Sequence, residues 1–177
     1  MTATWVRVLA SYLHLLAVAV YVGGSVAMEF VLGPAQRFVP PAQAQVLGQR
    51  AADRFLVLVW GALALFPVSG MLLFFSLSDQ HLVTRGELFS TGYGRTLVAM
   101  MALWAVLVVN GALITFVFRP RLARRATARG GGAAVAEQVE SMQRAAQWVS
   151  RLTRVDLVLA LVIVLFGAPM AYGGGIL

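Results

Sequence analysis

The sequence predicts an all-α integral membrane protein, a bundle of four spanning helices with both termini on the outer side. Three observations carry that reading. The 177-residue chain is 60% hydrophobic and only 12% charged, whereas soluble domains carry about 25% charged residues. Its apolar residues gather into four long stretches, near residues 6–33, 55–77, 96–118 and 155–171, each close to the ~20 residues that cross a bilayer as helix. Its arginines also divide unevenly between the connections. The whole chain, 1–177, is read as one domain, because four spans leave room for little else.

The first stretch opens on an apolar run too long for a cleavable leader and lacks a basic n-region, so it is expected to remain as a span. It should end at Gly33-Pro34, since proline cannot continue the hydrogen-bond ladder. Pro40-Pro41 follow, and Ala42–Arg54 should form a short amphipathic helix. The second span carries Pro67 and Gly70, which suggest a kink. A polar connection near Ser78–Tyr93 holds Asp79, His81, Arg85 and Glu87. Thr91-Gly92-Tyr93-Gly94-Arg95 then turns into the third span. After Arg119-Pro120 the chain is basic, then glycine-rich at Gly130-Gly131-Gly132. Ala133–Arg151 reads as a polar interfacial helix leading into the fourth span.

Every basic residue is an arginine. Arg37, Arg50 and Arg54 fall in the first connection, and Arg119, Arg121, Arg124, Arg125, Arg129, Arg144, Arg151 and Arg154 in the third. Only Arg7, Arg85 and Arg95 lie on the other side. The positive-inside rule then puts the two long connections in the cytoplasm. A cysteine introduced at Ala3 should react with an impermeant reagent from the periplasm and one at Gly131 should not; the reverse pattern would refute this orientation. The net positive charge of +7 is thus accounted for by topology and contact with anionic lipid, and no nucleic-acid partner is expected.

The absence of cysteine excludes disulfides, thiolate metal sites and thiol catalysis. The chain has no G-x-S-x-G, no H-E-x-x-H and no phosphate loop, and one histidine without an adjacent nucleophile makes no hydrolase, so no enzyme is expected. The residue that asks for an explanation is His14. An ionisable side chain within a span is costly and marks a functional site by default. Ser11, His14, Tyr21, Ser25 and Met28 share one side of the first helix at ~100° per residue. Tyr21 and Ser25 could instead simply join helices by hydrogen bonds. The antiparallel topology brings Met71, Met100, Met101 and Met170 to the leaflet of His14. Imidazole with thioethers suits Cu(I); histidine with methionine also suits haem iron. The candidate metal ligands are therefore His14, Met71, Met100, Met101 and Met170. The candidate cofactor-binding set for haem b is His14, Met100 and Tyr21. Methionine is also an ordinary core filler, and adjacent Met100 and Met101 point ~100° apart. Glu29 and Asp156 lie near the cytoplasmic ends of their helices, where arginines should pair with them; a proton or ion relay including Asn110 is the alternative.

His14-Leu15-Leu16-Ala17 leading to Tyr21-Val22-Gly23-Gly24 resembles the first helix of the copper resistance protein D membrane domain. Arg54-Phe55, Ser69-Gly70, Tyr93-Gly94-Arg95-Thr96-Leu97, Ala102-Leu103 and Asn110 continue the resemblance over most of the four-helix region. It implies copper movement across the inner membrane with a periplasmic copper-binding partner. It also implies His14 as a ligand and Gly23, Gly24, Gly70 and Gly94 as packing or turn positions. The chain departs from the family pattern in lacking upstream spans and in carrying Met100 where the family often has lysine. A homo-oligomer or a larger membrane complex would complete a path too narrow for one bundle. The alternative reading is a structural or haem b-binding accessory subunit of a respiratory-type complex.

Overall fold

The computed structural model describes residues 2–76, 87–118 and 132–170. All elements among these residues are helical, and four helices are long and apolar enough to cross a membrane. Helix α1 is the helical run Thr4–Phe38, α2 is Pro41–Ser76, α3 is Gly92–Phe118 and α4 is Gly132–Met170. Consecutive helices pair along their lengths, α1 with α2 and α3 with α4, and the middle of α1 also meets α4.

The helices outrun the apolar stretches of the sequence. Gly33-Pro34 does not end α1. Wide π-turns at Ala19–Gly23 and Ala27–Leu32 precede it, and Pro34 sits in the first turn of the short segment Gly33–Ala35 before a 3-10 end at Gln36–Phe38. Proline's missing N–H and its ring disrupt ordinary i−4 bonding, and a widened turn absorbs that conflict. Ala42–Arg54 is no separate helix but the first turns of α2, a single helix of 36 residues. Ala133–Arg151 likewise continues without a break into the fourth span. Alanine, glutamine, arginine and leucine are strong helix formers, so these helices do not stop where the hydrophobicity does.

The packed centre is small: Ala17, Tyr21, Val59, Ala62, Leu63, Leu107 and Ala160. Large apolar side chains such as Trp5, Leu15, Val57, Val109 and Leu165 point outward. That arrangement suits lipid as the solvent, where helices associate through close packing of small residues and shared hydrogen bonds. An apolar groove of ≈ 470 Å³ runs along α1 and α2 past Ala17, Gly61 and Ala62, with no converging polar group.

Pro67 leaves one backbone group to be satisfied. It has no N–H, so the Leu63 carbonyl one turn earlier loses its helical donor. The Trp104 indole of α3 donates to that carbonyl at 3.1 Å, and Leu63 is 1% exposed. Neighbouring helices commonly re-satisfy such groups in membranes. Trp104→Phe should therefore destabilise the bundle by about 1 kcal/mol. In a Pro67→Ala background, where the carbonyl regains its own donor, the same change should cost less. Equal losses in both backgrounds, read by unfolding in detergent, would contradict this account.

At the start of α3 the Thr91 hydroxyl accepts from the Gly94 N–H at 3.1 Å and caps the helix. Here the expectation of a glycine turn gains a specific cause. A Cβ on Gly94 would overlap the backbone of Leu88. At the neighbouring end of α2, Arg7 donates to the Ser76 carbonyl at 2.7 Å, filling one of the acceptors a helix terminus leaves open.

Candidate functional site

His14 lies where α1 crosses α2. Its Nδ1 is 2.9 Å from the Ser69 hydroxyl oxygen, and the edge of Phe66 meets its ring at 5.5 Å between centroids. The hydrogen-bond network assigns the tautomer. The Ser69 hydroxyl has one proton, and it donates to the Leu65 carbonyl at 2.6 Å, with the Phe66 carbonyl at 3.2 Å. Ser69 Oγ must then accept from His14, so Nδ1 carries the hydrogen. The other nitrogen, Nε2, is left with its lone pair. An imidazole whose outer nitrogen is fixed by a hydrogen bond is the arrangement that orients histidine toward a metal. Ser69 is fully buried and His14 half-buried, so this contact is shielded from competing water.

Gly70 adds room beside the ring. A Cβ there would stand 3.8 Å from His14 Cε1, the carbon between the two nitrogens. In the sequence, Ser69-Gly70 is legible only as part of the family-like pattern. A serine in a helix ordinarily bonds back to its own carbonyls, and Ser69 does so. Its second role needs α1, 55 residues away in the chain.

The methionines separate into two groups. Met71 and Met101 are 62% and 60% exposed and stand on outward faces of α2 and α3. Met100 and Met170 are half-buried at the same end of the bundle as His14. The Met100 methyl lies 3.5 Å from where a Cβ on Gly167 would be, so this side chain turns toward α4. Among the described residues no group of three or more His, Cys, Asp or Glu side chains is placed to hold a metal. His81 and Asp79 lie outside the described residues.

Tyr21 is 3% exposed, and its ring meets Phe66 edge-on at 6.2 Å. Phe66 therefore touches both His14 and Tyr21, and Tyr21 lies beyond it, within electrostatic reach of Asp156. Ser25 donates to the Tyr21 carbonyl of its own helix at 2.7 Å.

The two intramembrane acids behave differently. Glu29 accepts from Arg154 Nε at 2.7 Å, the ion pair expected for it. Among the described residues Asp156 does not pair with an arginine. Its Oδ1 accepts from Asn110 Nδ2 at 2.7 Å, and the same amide donates to the Leu152 carbonyl at 3.2 Å. The cause is helical geometry: Arg154 and Asp156 are two residues apart and face different sides of α4. Arg151 is also turned away, its guanidinium 5.7 Å from the Trp148 ring centroid.

The glycines of the first helix are not equivalent. A Cβ on Gly24 would run into the Phe55 ring, while Gly23 has nothing within 4 Å. Two elements far apart in the sequence, Gly23-Gly24 and Arg54-Phe55, thus meet through Gly24 and Phe55.

Comparison with known families gives one finding. A family model described as CopD, copper resistance protein D, matches residues 49–170, more than half of the chain. No curated protein and no solved structure matches it significantly.

Proposed function

Because the chain belongs to the copper resistance protein D family, we propose that it binds copper inside the membrane, as one step in moving copper across it, with His14 Nε2 as a ligand. The observation that supports this reading most is the Ser69 contact, which holds Nδ1 as the donor and leaves Nε2 with its lone pair. Neutral imidazole with a thioether suits Cu(I), because soft ligands select the soft ion. Met100 and Met170, half-buried at the same end of the bundle, are the methionines that could complete the set from within a single copy. Met71 and Met101 face outward and would contribute only across an interface with a second copy.

In this reading the end of the bundle carrying the termini faces the periplasm of a bacterial inner membrane. Copper arrives there from a periplasmic copper-binding protein, and the arginine-rich connections lie in the cytoplasm. The chain acts as a carrier of the ion and performs no covalent chemistry. The test is the absorption spectrum and metal content of the purified full-length protein, with Cu(I) supplied under reducing conditions. Copper bound stoichiometrically without a Soret band is the expected result. A Soret band would replace copper by haem b and make the chain an accessory subunit of a larger complex. Neither copper nor haem would leave His14 as a packing residue.

A further inference from the structure

A second polar centre lies deeper in the bundle, and the copper reading does not use it. Asp156 is 8% exposed in the middle of α4. Its partner, the Asn110 amide of α3, carries no charge. The orientation of that amide is fixed, because the Leu152 carbonyl can only accept. Asn110 therefore presents N–H to Asp156 Oδ1, and Oδ1 must accept. Such a contact can be made to an ionised carboxylate, where it is the stronger, and also to a carboxylic acid whose proton sits on Oδ2. Oδ2 has no hydrogen-bond partner among the described residues. It is not sealed in either, since no fully buried side-chain oxygen among those residues lacks a partner.

The charged and titratable groups around Asp156 are accounted for helix by helix. From α1, Tyr21 lies within electrostatic reach, and Glu29 is occupied by Arg154. The α2 residues in the packed centre, Val59, Ala62 and Leu63, do not titrate, and Asp53 and Arg54 lie exposed farther toward the first connection. From α3 the facing group is Asn110. On α4 itself, Arg154 is turned to Glu29 and Arg151 to Trp148. Among the described residues no cation lies within ion-pair distance of Asp156. An unpaired carboxylate is expensive at that depth, and binding a proton removes the charge.

We propose that Asp156 is a proton-binding site inside the bundle, its Oδ1 held by Asn110 and its Oδ2 taking up and releasing the proton. The step is a simple equilibrium: carboxylate plus proton gives carboxylic acid, with no other bond made or broken. It stands apart from the copper reading, and its test involves no metal.

The experiment is infrared difference spectroscopy of the full-length protein in lipid nanodiscs, titrated with acid and base. A carbonyl band of a protonated carboxyl should appear and vanish reversibly with pH. Asp156→Asn should remove that band. Asn110→Leu should keep the band but shift its frequency, because the hydrogen bond to Oδ1 is lost. Glu29→Gln, which alters the paired acid, should leave it unchanged. If Asp156→Asn does not fold, the Asn110→Leu shift alone decides. A band that survives Asp156→Asn, a band indifferent to Asn110→Leu, or no carboxyl band that moves with pH would each overturn the proposal.

Discussion

His14→Ala should abolish stoichiometric Cu(I) binding while leaving the bundle folded. The imidazole supplies the strongest donor at the site, and alanine supplies none. The fold should survive because the packed centre is built from Ala17, Tyr21, Val59, Ala62, Leu63, Leu107 and Ala160, without the His14 ring. Ser69→Ala is the more informative variant. It keeps His14 but removes the acceptor that fixes Nδ1–H, so affinity should fall about 10–100-fold, as for other partners that orient a metal-binding histidine. Met100→Leu should weaken binding less than His14→Ala, since a thioether is neutral and partly replaceable. Met71→Leu, on an outward face, should change nothing in a single copy. Competition with a Cu(I) chelator measures all four. Full copper retention in His14→Ala would sink the ligand assignment, and wild-type affinity in Ser69→Ala would remove the tautomer argument.

The number of spans and their order are legible from apolar run length, because a bilayer imposes a minimum that few other structures need. The ends of the helices are not. Hydropathy marks where the lipid stops, while the helix at Ala42–Arg54 continues for a different reason, its backbone propensity. Pro34 shows the same gap between rule and outcome. A proline ends a helix in which every carbonyl needs its i+4 donor, but the π-turn before it has already changed that pattern.

The site is legible in proportion to how much each residue violates the solvent it sits in. His14 stands out because an imidazole in hydrocarbon demands a partner. Ser69 does not, because serine can satisfy itself on its own helix and leaves no trace of a second contact. Asp156 is conspicuous too, but its partner is not the arginine that charge alone suggests: direction on the helix decides, and Asn110, 46 residues earlier, points at it instead. Sequence spacing along one helix is thus informative about faces. It is silent about which face of another helix arrives opposite.

Gly94→Ala should cost about 1–3 kcal/mol, the usual range for forcing extra volume into a packed position. The reason lies in what the new methyl would meet. At Gly94 it is the carbonyl, carbonyl carbon and Cα of Leu88, atoms of the backbone that cannot rotate aside. Gly94 is buried, and its own N–H is held by the Thr91 hydroxyl. Relief therefore requires moving either the cap of α3 or the preceding segment Glu87–Phe89. Gly24→Ala should be milder, because its methyl meets the Phe55 ring, a side chain that can turn. Gly23→Ala and Gly61→Ala should be neutral or slightly stabilising, since nothing lies within 4 Å of either new methyl and alanine favours helix over glycine by about 0.8–1.0 kcal/mol. Reversible unfolding of the four variants in the same detergent gives the order directly. If Gly94→Ala is no less stable than Gly61→Ala, the close approach of α3 to Leu88 is not what requires glycine there.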